Sequence, residues 1–189
     1  RLTTALDIQK APREAVSKAY NVFQKARIQR SGTGFIGAPI LTPDELDRSK
    51  GEISWNDLET MLSGFAYDTY YNHSETSRKN YFTVWDFAID QGFSFGSGMG
   101  TNHHYGYQVR KIYTTAWLMR DAIWKAPNRD NILSTLIFWS ALQETRQPYQ
   151  YGRDELLDSW HTLLMAKTVS ALLFTDERER VRALKGLSR

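Results

Sequence analysis

Val109-Arg110-Lys111-Ile112-Tyr113-Thr114-Thr115-Ala116-Trp117-Leu118-Met119-Arg120-Asp121-Ala122-Ile123 decides the fold class. Within it Val109, Ile112, Ala116, Met119 and Ile123 recur at steps of three, four, three and four, the spacing of one face of an α-helix. Tyr113, Trp117 and Trp124 fall off that stripe, which predicts a helix covered by neighbours on two sides rather than one lying on a surface. Pro127-Asn128 ends it.

The same period runs outward in both directions. Toward the N-terminus, Pro12 suits a first helical turn, and Val16, Ala19, Tyr20, Phe23 and Ala26 predict a helix from about Pro12 to Gln29. Residues 31–51 hold Gly32, Gly34, Gly37, Pro39, Pro43 and Gly51, too many breakers for a helix. They read as a long ordered loop with a short extended piece at Ile40-Leu41. Leu58, Met61, Leu62, Phe65, Ala66 and Thr69 predict a second helix, capped by Asn56 or Asp57 and ending near Asn72. Ser74 caps a third, with Tyr81, Phe82, Trp85, Ala88 and Ile89 on its buried face and Gly92 at its C-terminal end. Beyond Pro127, Ile132 to Leu142 predict a fifth helix, Leu157 to Leu172 a sixth and Asp176 to Leu187 a shorter one. No run alternates with a two-residue period, so the class is all-α, in helices joined as antiparallel hairpins.

Composition narrows the function. The 189 residues suit a single domain, and 41% hydrophobic content argues for a packed one. There is no Cys, which removes thiolate metal sites and cysteine nucleophiles. No stretch approaches the roughly 18 to 20 apolar residues of a membrane span, and mean hydropathy is −0.51. A net charge of +3 suits an anionic ligand. The basic clusters, Arg78-Lys79 and Arg110-Lys111, are too sparse for a nucleic-acid surface, so no nucleic-acid partner is expected. The chain opens on Arg1-Leu2-Thr3-Thr4 and closes inside a helical pattern, and both ends are expected to be cuts through a longer polypeptide.

Gly92 to Arg110 is the chemically loaded segment. It joins two helices through Gly96, Gly98 and Gly100 and then delivers Asn102, His103, His104, Tyr105, Tyr107 and Arg110 at a helix entrance. The glycines do not make a dinucleotide loop, which follows a strand and starts a helix on its glycines. Adjacent histidines diverge, and the His-Glu-x-x-His spacing of zinc hydrolases is absent. Asp158 and His161 share a helix face, a spacing more typical of a local contact than of a metal site. Among the six tryptophans, Trp55 and Trp124 are the ones with room to stack on a ligand.

The string Asp90-Gln91-Gly92-Phe93, then Thr101-Asn102-His103-His104-Tyr105-Gly106-Tyr107, Arg110 and Leu118-Met119-Arg120-Asp121-Ala122, resembles the broad-specificity chondroitin sulfate ABC lyases of polysaccharide lyase family eight. Gly37-Ala38-Pro39-Ile40 and Leu157-Asp158-Ser159-Trp160-His161-Thr162-Leu163 extend the resemblance in register over nearly the whole chain. The resemblance implies that residues 1–189 are an N-terminal portion of an incomplete α/α toroid, the catalytic domain of a secreted or periplasmic enzyme. Such an enzyme cleaves chondroitin and dermatan sulfate by β-elimination at uronic acid. It implies catalytic roles for His103 and His104 and substrate contacts for Asn102, Tyr105, Arg110 and Trp124. No cofactor is required. Tyr107 and Asp158 match positions at a divalent-cation site, calcium or magnesium, although the acid expected two residues before Asp158 is Leu156 here. The family's principal His, Tyr, Arg and Glu fall beyond residue 189, so the piece alone is expected to be inactive, with the remainder of the parent lyase chain as its partner. The competing class is a noncatalytic helical module that binds polyanions or partner helices.

Overall fold

In the computed structural model, residues 5–38, 40–41, 52–91 and 103–144 are described, with side chains at 13–38, 52–54, 56–91 and 111–136. They are mostly helical, as expected. Contacts divide the chain into two compact units, residues 1–91 and 92–189.

In the first unit, α1 (Ala5–Ala26) begins well before Pro12, so the proline lies inside the helix and not in its first turn. Pro12 has no N–H and omits one i→i−4 bond, a loss the helix spans. The helix ends three residues earlier than the period predicts, because Arg27 turns to φ 51° and Gln29 enters a strand. The Ala38 amide then donates to the carbonyl of Ala26 at 2.8 Å, satisfying a helix-end acceptor.

The predicted loop contains a β-hairpin. Strands β1 (Gln29–Ser31) and β2 (Gly34–Ile36) pair antiparallel with Arg30 opposite Phe35. Gly32, at φ +60°, takes the first central position of the two-residue turn, where a positive φ is required. The extended piece at Ile40-Leu41 is present as β3 (Ile40–Leu41), which pairs parallel with β4 (Ile53–Ser54).

Helix α2 (Trp55–Asn72) is capped by Ser54, not Asn56 or Asp57. Asp57 instead completes a capping box: the Ser54 amide donates to its carboxylate at 2.7 Å, and its own amide donates to Ser54 Oγ at 3.3 Å. The helix ends at Asn72 as predicted, with His73 left-handed at φ 55°. Ser74 caps α3 (Glu75–Asp90), its Oγ accepting from the Ser77 amide at 3.2 Å. The two-residue link makes α2 and α3 a helical hairpin.

The core of this unit is the stripe anticipated from spacing: Leu58, Met61, Leu62, Phe65 and Ala66 on α2, and Tyr81, Trp85 and Ala88 on α3, all buried, joined by Val84 and Phe87. Phe65 receives the ring edges of Tyr20 and Phe23 at 5.1 and 5.4 Å. Burial pushes the Tyr81 phenol far above its ordinary pKa, an effect that its contact with the Trp85 indole only partly offsets, so it stays neutral.

In the second unit, α4 (His103–Leu118) and α5 (Arg120–Trp124) are nearly one helix. Met119, at φ −90° and ψ 5°, interrupts it, while Met119 N still donates to Thr115 and Ile123 N to Met119. Helix α6 (Arg129–Glu144) follows the Pro127 turn. Ile112, Ala116, Met119 and Ile123 are buried, as their spacing requires. Tyr113, off that stripe, is buried too, its hydroxyl donating to the carbonyl of Leu136 on α6. Buried Thr115 and Thr135 donate their hydroxyls back to Lys111 and Asn131 carbonyls four residues earlier, so neither brings an unmet donor into the core. The predicted sixth and seventh helices lie outside the described residues.

Candidate functional site

In each unit the features of interest stand at a helix end. In the first unit the hairpin is fastened to the C-terminal end of α3. The Phe35 amide donates to Asp90 Oδ2 at 3.0 Å, and Arg30 reaches Asp86 at 3.7 Å while lying 5.1 Å over the Phe35 ring. A Cβ on Gly34 would sit 3.3 Å from the Asp90 carboxylate, and one on Gly37 would sit 2.9 Å from the Phe87 ring and 3.1 Å from the Ala26 carbonyl. Small residues at 34 and 37 therefore let the chain cross closely over α3. Asp90 thus fixes the last turn of the helix that leads into residues 92–102.

In the second unit the described backbone resumes at His103, which with His104 and Tyr105 forms the first turn of α4. Amides of a first turn have no partner within their helix and carry its positive end, an environment suited to a carboxylate or sulfate. His103, Tyr107 and Arg110 stand at i, i+4 and i+7 of this helix, and Tyr107 is one turn before Lys111 and two before Thr114, both exposed. His103, Tyr107 and Arg110 are thus in register with Lys111 and Thr114, opposite the stripe of Ile112, Ala116 and Met119, whereas Tyr105, seven residues before Ile112, is in register with the stripe itself.

Trp124 does not belong to that cluster. It ends α5, twenty-one residues after His103, or about 31 Å of helix, so one sugar ring would not touch both. Its half-buried indole carries the guanidinium of Arg129 at 5.5 Å. The sequence reading did not single out Arg120, which lies 4.5 Å over Trp117. The three-residue step from Trp117 to Arg120 was the available signal. Trp55 opens α2. Asn102, Asp158, His161 and the glycines from 92 to 100 lie outside the described residues.

The divalent-cation site expected at Tyr107 and Asp158 falls on side chains outside the described ones. Among the described residues no group of three or more His, Asp or Glu is placed to hold a metal, and a hard cation takes about six to eight oxygens. Tyr107 alone of the expected pair lies on a described element. No helix among the described residues is long and apolar enough to cross a membrane.

Comparison with known proteins finds relatives among the chondroitin sulfate ABC lyases. Over 126 residues the chain is 32% identical to the chondroitin sulfate ABC exolyase of Bacteroides thetaiotaomicron, covering 63% of this chain and 12% of that protein. Over 112 residues it is 28% identical to the chondroitin sulfate ABC endolyase of Proteus vulgaris, covering 59% of this chain and 11% of that protein. The aligned stretches therefore span about an eighth of these relatives. A family model described as "Lyase, catalytic" matches residues 1–189, and on that match, which runs the whole length of the sequence, the chain belongs to the lyase catalytic-domain family.

Proposed function

We propose that this chain is part of the catalytic domain of a secreted or periplasmic polysaccharide lyase that cleaves chondroitin and dermatan sulfate by β-elimination. The observation that carries the reading is the His103-His104-Tyr105-Gly106-Tyr107 run on the first turns of a helix, within a chain matched end to end by a lyase family.

The chemistry asks for the groups this helix start offers. Elimination removes the C5 proton of the uronate, forms a double bond between C4 and C5, and breaks the C4–O4 bond, with O4 leaving as it takes a proton. C5 lies α to the carboxylate, and the negative charge that develops there spreads into that carboxylate. Donors aimed at it lower the barrier. A neutral imidazole both hydrogen-bonds a carboxylate and accepts a proton near neutral pH. In this reading one histidine of the pair faces the uronate carboxylate and the other takes the C5 proton of iduronate. Asn102 and Tyr105 contact the sugar, and Arg110 meets a carboxylate or sulfate. The remaining acid–base groups come from the parent chain, folded with this part as an α/α toroid.

The test follows the ultraviolet absorbance of unsaturated uronate when the full-length protein meets chondroitin sulfate or dermatan sulfate. The wild type yields product from both. His103→Ala/His104→Ala loses dermatan cleavage by about a hundredfold or more, the scale of a missing general base, and keeps more of its action on chondroitin. Equal retention on both substrates removes the histidines from the mechanism.

A further inference from the structure

The side chains from Trp117 to Arg129 form an arrangement remote from the histidine end of α4. Trp117 and Trp124 are half-buried, and each carries an arginine, Arg120 at 4.5 Å and Arg129 at 5.5 Å from the ring centre. Arg120 is anchored again by Nη1, which donates to the Trp117 carbonyl at 3.0 Å. Stacking of this kind holds a guanidinium in place before any ligand arrives, so less side-chain freedom is lost on binding.

The acids beside these cations hold them weakly. Asp121 lies 3.9 Å from Arg120 with 84% of its side chain exposed, and Asp130 lies 2.9 Å from Arg129 with 83% exposed. Such solvated pairs contribute little, so an incoming anion exchanges with them readily. The two arginine side chains remain 38% and 43% exposed, and exposed Lys125 adds a cation between them.

The pairs repeat. Trp117 and Trp124 are seven residues apart, about 10 Å along the helix. A lone small anion would use one pair only. A ligand with repeated carboxylates or sulfates would use both, its charges on the guanidinium forks that the indoles hold in place.

We infer that Trp117, Arg120, Trp124 and Arg129 form an ancillary site for an acidic polysaccharide, apart from the histidine pair. The site rests on the polysaccharide reading above for the identity of its ligand. Trp117 stands fourteen residues after His103, about 21 Å along α4, so a polymer reaching both is held at two points.

The test titrates the full-length protein with chondroitin sulfate chains at low ionic strength. Arg120→Gln/Arg129→Gln weakens binding by about tenfold, the worth of charge-assisted hydrogen bonds to two cations. Asp121→Asn/Asp130→Asn removes the competing carboxylates and tightens binding by about threefold, a gain that impaired folding does not mimic. Wild-type affinity in both variants overturns the site. Unsaturated product measured on the same samples separates the two claims: a wild type that binds without cleaving, with the arginine and aspartate variants shifted as stated, leaves the site standing and removes the lyase reading.

Discussion

At Gly64 the absence of a side chain decides how α1 meets α2. A Cβ there would lie 2.5 Å from the Ala15 carbonyl oxygen and nearer still to the Ala19 methyl, so both neighbours are unyielding. Gly64→Ala should cost about 1–3 kcal/mol by overpacking, read as a lower denaturant midpoint. Asp68 is a second residue with a measurable signature. Burial raises its pKa, but hydrogen bonds from Ser77, Asn72 and Ser74 outweigh that and hold the carboxyl below its ordinary value of 3.8. A carboxyl depressed on folding stabilises the native state above its unfolded pKa, and that contribution is lost as pH falls from 3.8 through the lower folded value. Ser77 Oγ, which also meets Tyr20 at 2.9 Å, donates the strongest of those lowering bonds. Ser77→Ala should therefore raise the Asp68 pKa, seen by titration of its carboxyl resonance, and flatten the acid limb of stability.

Among the elements, the hairpin shows where pattern reading stops. Strands of three residues are too short for an alternating period, and the breakers around them read as loop. What holds the hairpin is tertiary: Asp90 accepts the Phe35 amide, fifty-five residues away in sequence. Asp90→Ala should speed hydrogen exchange at the Phe35 amide while amides in the middle of α3 keep their protection. Helix interiors were legible because Leu58 to Phe65 and Ile112 to Ile123 carry the period of a buried face. Their ends were less so. Ser54 caps α2 from within a two-residue strand, and Pro12 reads as a helix start although the helix runs through it. The interruption at Met119 has no breaker to mark it.

For the whole molecule, spacing sufficed for the all-α class, and the histidine string for the family. The arrangement of charges on aromatic faces was not legible, since Arg120 over Trp117 and Arg129 over Trp124 depend on rotamers that spacing alone does not fix. Asn102 and Asp158 lie outside the described residues, so the candidate site has its firmest footing on the first turns of α4. The central claim concerns the bond-breaking step. Elimination creates one new reducing end and one C4–C5 double bond per cleavage, whereas hydrolysis creates the reducing end alone. The full-length protein should be incubated with chondroitin sulfate, with reducing ends and ultraviolet absorbance followed together. With elimination the two rise one for one; reducing ends without the chromophore, or no cleavage at all, would rule elimination out.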